Sequence, residues 1–166
     1  MFLDSLKVRG LTPESATIDG NPRVSEALKF LWPDLIIQRC LVHVQRQGLM
    51  WCRINPKRTD AKHLRSLFLR VTEIGNIKER DIFLSDVQAW ERRFGCALGR
   101  KPETGWVFSD LKRARSMLLK ALPNMFHYLD DPRIPKTTNA LEGYFSRMKF
   151  LYRGHRGLSR ERRAVY

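Results

Sequence analysis

Acidic residues are scarce in this chain. Its 166 residues include 17 Asp and Glu against 31 Lys and Arg, which gives a net charge of +14 at pH 7 and a pI near 10.3. A surplus of this size favours a polyanionic partner, with nucleic acid first and an acidic membrane surface second. The charge alone does not choose between these two partners.

Cysteines and long apolar runs are also scarce. Cys40, Cys52 and Cys96 are the three cysteines, and an odd count without close spacing argues against structural disulfides and an extracellular location. No stretch approaches the roughly 18–20 consecutive apolar residues of a membrane span. The first ten residues lack the apolar core of a signal peptide. We therefore expect a cytoplasmic protein without a membrane anchor.

The first third of the chain has the pattern of a strand–helix–strand unit. Ser15–Ile18 is β-prone, Val24–Trp32 has helical apolar spacing, and Asp34–Gln38 is a short apolar run. Asp19 begins the turn after the first predicted strand, a position where α/β folds place catalytic groups. The simpler interpretation, which spacing alone favours, is that Asp19 forms an Asx turn with its own backbone.

Most of the remaining chain has helical spacing, and the last predicted helix opens at Thr137-Thr138-Asn139. Leu141, Phe145 and Met148 form one apolar stripe on it, which would place Glu142 beside a buried edge. The local interpretation of Glu142 is a capping-box carboxylate that reaches back to Asn139. The other helices are predicted over Cys40–Arg53, Asp60–Val71, Glu79–Phe94 and Ser109–Leu122.

Two separate segments resemble the Mutator-type DDE transposases, which include bacterial insertion-sequence enzymes. The segment IPKTTNALEGYFSRMK, followed by RGHRGLS, is similar to their last catalytic segment, in which T-N-x-x-E carries the third metal-binding carboxylate. The earlier D-G, W-P and Q-R-C-x-x-H elements resemble the segment of the second catalytic Asp. Both segments occur here in the order of the family.

The resemblance implies a fold and a division of the chain. It implies an α/β, predominantly helical fold, namely a partial ribonuclease H-like domain interrupted by an α-helical insertion. Residues 1–52 would form a ribonuclease H-like portion, 53–122 the helical insertion, and 123–166 the return to the ribonuclease H-like portion. The family's first catalytic Asp lies well upstream of the D-G segment, and only 18 residues precede Asp19. The chain would therefore correspond to the C-terminal part of the family.

The resemblance also assigns residues. Asp19 and Glu142 would be catalytic ligands of Mg²⁺ or Mn²⁺, as part of a two-ion site of hard oxygen donors. Cys40 and His43 would lie beside this site as a second layer. The side chains expected to neutralise DNA phosphates are Arg147, Lys149, Arg153, His155 and Arg156.

The implied activity is DNA strand cleavage and strand transfer in transposition. Element ends and target DNA would be the partners, a homo-oligomer of transposase subunits the assembly, and the nucleoid the place of action. Because the first Asp is missing, we expect this chain alone to be inactive.

Two other interpretations stay open. The first is a non-catalytic, basic DNA-binding remnant that pairs with or inhibits a full-length transposase. The second is a zinc-dependent nucleic-acid-binding module with Cys40, His43, Cys52 and His63 as ligands. The second pair of these ligands is widely split in the sequence, which disfavours a closed tetrahedral site.

Overall fold

The computed structural model describes residues 2–100 and 106–154. It is predominantly helical and contains one two-stranded parallel sheet, so the predicted α/β, mostly helical class is confirmed. The elements are α1 (Phe2–Val8), β1 (Ser15–Ile18), α2 (Pro22–Leu31), β2 (Ile36–Arg39), α3 (Leu41–Cys52), α4 (Thr59–Arg70), α5 (Ile77–Trp90), a π-helical turn (Glu91–Gly95), α6 (Cys96–Arg100), α7 (Trp106–Ala121), a 3-10 turn (Leu122–Asn124), α8 (His127–Asp130) and α9 (Asn139–Gly154).

The two strands and the helix between them form the predicted strand–helix–strand unit. β1 and β2 pair in parallel, from Ser15 opposite Ile36 to Ile18 opposite Arg39. The side chain of Asn21 caps α2 by accepting a hydrogen bond from the backbone of Arg23. Because the strands are parallel, both carboxyl ends meet at one edge of the sheet, where the chain leaves β1 and β2.

The main hydrophobic core belongs to the helices. Helix α3 packs against both α4 and α7, and Phe68 and Phe83 are completely buried there. A smaller cluster of Leu28, Leu35 and Ile37 lies between α2 and the sheet. Helix α3, which starts directly after β2, therefore links the sheet to the helical body. The division into residues 1–52, 53–122 and 123–166 stays a prediction.

Two expectations about the helices need correction. Helix α7 begins at Trp106, three residues before the predicted start, so Ser109 lies inside the helix. The apolar stripe of α9 is not buried: Leu141 is 55% exposed, Phe145 51% and Met148 38%. The helical pattern of α9 was predicted correctly, but no described element covers its stripe. Among residues 2–100 and 106–154, no helix is both long enough and apolar enough to cross a membrane.

Candidate functional site

Asp19 follows the last residue of β1 directly. Its Oδ1 accepts a hydrogen bond from the backbone N–H of Asn21 at 3.0 Å, so the Asx turn expected from the sequence is present. The side chain is exposed at the carboxyl edge of the sheet. The carboxylate is thus held by its own turn and is accessible to a ligand.

Gly20 is required at the next position for two reasons. Its φ is +94°, a left-handed conformation that side chains rarely adopt. A Cβ atom here would also lie 1.8 Å from the guanidinium carbon of Arg39. The Asp-Gly pair therefore reflects close packing between the end of β1 and Arg39 at the end of β2.

Arg39 is held at this edge in a partly desolvated state. Its Nη1 donates to the carbonyl of Gly20 at 3.3 Å, while its Nε is buried and has no hydrogen-bond partner among the described residues. Burial lowers the pKa of Arg39 from its ordinary value, although the nearby Asp19 and Cys40 act in the opposite direction. The Q-R-C-x-x-H element contains Arg39, but no role was predicted for it, because a single arginine at the end of a strand carries no distinctive signal.

Cys40 connects the sheet to the start of α9. It is completely buried, and its backbone N–H donates to the carbonyl of Ile18 at 2.8 Å. Its Sγ accepts a hydrogen bond from the backbone N–H of Thr138 at 3.3 Å. The residue before Asp19 and the residue that precedes α9 are therefore both bonded to Cys40.

Glu142 lies in the first turn of α9. Its Oε1 accepts a hydrogen bond from Thr138 Oγ1 at 2.7 Å and lies 3.6 Å from His43 Nε2. Its side chain is 45% exposed. The carboxylate thus reaches back along the helix as a capping residue would, but to Thr138 instead of the predicted Asn139.

Cys40 and His43 lie one helical turn apart at the start of α3. Burial is the largest influence on the Cys40 thiol and favours its neutral form. The hydrogen bonds from Thr138 and the neighbouring His43 together outweigh burial, so the pKa of Cys40 is lowered. His43 Nδ1 is buried without a hydrogen-bond partner among the described residues. The Cys-x-x-His motif therefore adjoins Glu142 through His43 and adjoins the end of β1 through Cys40.

The predicted basic residues of α9 are exposed as far as the described residues extend. Lys149 and Arg153 follow Glu142 by seven and eleven positions, which places them within about 20° of it around the helix, whereas Arg147 lies on another face. All three side chains are exposed. His155 and Arg156 lie outside the described residues.

The four candidate zinc ligands are not brought together. Helix α3 has 12 residues, and at about 1.5 Å per residue it separates Cys40 from Cys52 by about 18 Å. His63 lies on α4, where its ring contacts the ring of Phe94 edge-on. A single tetrahedral ion cannot span such distances, so these four residues do not form one zinc site in this structure.

A divalent metal ion is what the family resemblance implies for Asp19 and Glu142. Both carboxylates are solvent-accessible oxygen donors, which suits Mg²⁺ or Mn²⁺. Within residues 2–100 and 106–154, no group of three or more His, Cys, Asp or Glu side chains is arranged to hold a metal ion. The oxygen donors of Asp19 and Glu142 are therefore of the kind that Mg²⁺ binds.

Comparisons of the chain with profiles of known protein families, with curated proteins and with solved structures found no match.

Proposed function

We propose that this chain is part of the catalytic domain of a DDE transposase of the Mutator type, with a ribonuclease H-like arrangement around its two strands. The observation that supports the proposal best is the position of Cys40. Through its backbone it meets the residue before Asp19, and through its sulfur it meets Thr138, which in turn bonds Glu142. The segments that carry the two carboxylates assigned by the resemblance are thereby joined through one buried residue, although 123 positions separate Asp19 from Glu142 in the sequence.

In this proposal Asp19 and Glu142 are two of the carboxylates that hold the metal ions. When bound, the ions would activate a water or a 3′-hydroxyl and neutralise charge on the attacked phosphate. Thr138 orients the carboxylate of Glu142 by donating its hydroxyl proton. His43 Nε2 lies 3.6 Å from the same carboxylate oxygen.

The partner of the site is DNA. Lys149 and Arg153 share the face of α9 with Glu142, so a backbone that approaches this carboxylate meets two cations beyond it. Element ends and target DNA are the substrates in this proposal, a homo-oligomer of transposase subunits is the assembly, and the nucleoid is the location. The net charge of +14 agrees with a polyanionic substrate.

The test is a cleavage assay on a longer polypeptide that adds an upstream strand with the family's first Asp. We expect Mg²⁺-dependent strand cleavage from it and none from the present chain, because two carboxylates hold too little charge and too few ligands for two ions. Asp19→Asn and Glu142→Gln should each abolish cleavage while DNA binding is kept. Asp34→Asn changes an exposed Asp elsewhere and serves as the control. Parent-like cleavage by Glu142→Gln would reduce Glu142 to a helix-capping residue.

A second candidate is the non-catalytic DNA-binding remnant that pairs with a full-length transposase. The observation that favours it is the exposed stripe of α9, where Leu141, Phe145 and Met148 are all accessible, since stripes of this kind mark protein contacts. Mixing the chain with the longer polypeptide distinguishes the candidates. A stable mixed complex with reduced cleavage supports the remnant, whereas unchanged cleavage and no complex exclude it.

A further inference from the structure

A basic cleft lies between the carboxyl edge of the sheet and α7. Its volume is about 740 Å³, within the usual range of ligand sites. One wall contains Gly20, at the end of β1, and Arg39, at the end of β2, and the opposite wall is one face of α7. The α7 residues that line it are Ser109, Lys112, Arg113, Ser116, Met117 and Lys120.

The spacing of these α7 residues explains why they face the cleft together. They recur at intervals of three and four positions, which is one face of a helix. Leu111, Ala114 and Leu118 occupy the opposite face and are buried in the main core. Packing of that apolar face therefore fixes the orientation of the polar one, and the cationic face is built into the fold.

The cleft is strongly positive. Four of its described lining residues are cations, namely Arg39, Lys112, Arg113 and Lys120, and none of the described ones is acidic. Asp110 lies beside the cleft and approaches Arg113 at 3.6 Å, so it offsets one of these charges. The remaining positive charge attracts an anion. A phosphate is the anion that clustered Arg and Lys side chains bind best.

Arg39 gives the cleft a partly desolvated hydrogen-bond donor. Its Nε–H is buried and unpartnered among the described residues, which is costly for a charged group. A phosphate oxygen in the cleft would accept a hydrogen bond from the part of this guanidinium that lines it. Such a contact involves no proton transfer, since arginine stays charged throughout the physiological range.

Apolar side chains complete the lining. Trp51, at the end of α3, lines the cleft together with Met117, Ile18 and Ile37. A pure phosphate site does not need an aromatic ring, whereas an unpaired nucleobase stacks on one, and such stacking suits single strands of any sequence. Base pairs hold their faces stacked inside a duplex, so a duplex cannot use the ring in this way.

We infer that this cleft binds a short stretch of single-stranded nucleic acid, with phosphates on Arg39, Lys112 and Lys120 and an unpaired base against Trp51. This surface is separate from the basic face of α9. The inference goes beyond the proposed function, because it requires neither metal binding nor cleavage by Asp19 and Glu142. Binding measurements alone can therefore confirm or refute it.

The first measurement is fluorescence anisotropy with labelled dT12 at low salt. The Lys112→Ala/Lys120→Ala double variant should bind dT12 about tenfold more weakly, because two phosphate contacts are lost. The matched control, Lys62→Ala/Lys78→Ala, removes the same charge from exposed positions on α4 and α5 and should bind like the parent. Equal losses in both double variants would overturn the inference, since general charge would then explain the binding.

The second measurement tests the base contact. Trp51→Leu should weaken binding of dT12 about tenfold, while binding of an abasic 12-mer with the same phosphates should not change. Trp51→Phe keeps a ring and should restore most of the affinity for dT12, which guards against a folding defect. Equal weakening for both oligonucleotides would refute the stacking. U12 in place of dT12 distinguishes RNA from DNA as the source of the strand.

Discussion

The backbone N–H of Thr138 donates to the sulfur of Cys40 at 3.3 Å, across 98 positions of sequence. Two further bonds hold the segment before α9: Leu41 N–H donates to the carbonyl of Lys136 at 3.0 Å, and Thr17 Oγ1, in β1, donates to the carbonyl of Pro135 at 2.7 Å. The stripe of α9 is exposed, so these polar contacts locate the start of the helix. They lie at the same edge as Asp19, which makes them the link between the two halves of the candidate site.

Thr138→Ala should destabilise the protein by about 1 kcal/mol, because it removes the hydroxyl that bonds Glu142 and approaches Cys40. The free energy of unfolding in urea measures the effect. Thr137→Ala is the control, since Thr137 is similarly half-buried. An equal loss for both substitutions would mean that the Thr138 hydroxyl contributes nothing specific to stability.

Gly48→Ala and Gly143→Ala are expected to change the stability of the protein in opposite directions. A Cβ at Gly48 would lie 2.3 Å from the ring of Phe68, which is completely buried and cannot move aside. Overpacking of about 1–3 kcal/mol should exceed the gain of about 1 kcal/mol in helix propensity. A Cβ at Gly143 meets no atom of the described residues within 4 Å, so that change should stabilise the protein by up to about 1 kcal/mol. Denaturant unfolding of both variants checks the signs, and a stabilised Gly48→Ala would show that α3 and α4 pack less closely.

Lys149→Ala/Arg153→Ala should weaken duplex DNA binding and flatten its salt dependence. With two phosphate contacts removed, the slope of log K against log salt should become shallower by about two units. Titrations at four salt concentrations measure the slope. Lys62→Ala/Lys78→Ala again removes two exposed cations elsewhere, and an identical flattening there would show that the face of α9 beside Glu142 has no special role.

Stability above pH 9 should depend on Cys52. Burial, aided by Asp60 and opposed by Arg65, raises the pKa of this thiol from 9.0 to about 12. The contribution of the Cys52 thiol to the free energy of unfolding is fully present below pH 9. It is lost as pH rises towards 12, because the unfolded chain releases a proton that the folded chain keeps. The free energy of unfolding of the parent should therefore fall more steeply than that of Cys52→Ala, by up to about 1.4 kcal/mol per pH unit.

Unfolding between pH 8 and 10 tests this difference in slope. Cys96 is an exposed cysteine, so Cys96→Ala should follow the parent. Parallel curves for the parent and Cys52→Ala would show that the thiol of Cys52 ionises as easily in the folded protein as in the unfolded one.

Local elements were accessible to sequence reasoning because their causes are local. The strand at Ser15–Ile18, the turn at Asp19 and the helix opening at Thr138 all depend on neighbouring residues, and the structure has each of them. The prediction that the α9 stripe packs against a core was wrong, because helical periodicity indicates one apolar face but does not indicate what covers it. Arg39 and the α7 cleft were missed because their residues come from distant segments.

The sequence by itself determined the mostly helical α/β class, the basic charge and the position of each chemical group along the chain, because propensity, capping and charge act over a few residues. Only the tertiary structure decided that Cys40 bonds both the residue before Asp19 and Thr138, and that α7 turns its lysines towards Arg39. Such contacts depend on how α3 packs between α4 and α7. That packing is the sum of many weak apolar contacts between distant residues, and local patterns do not specify it.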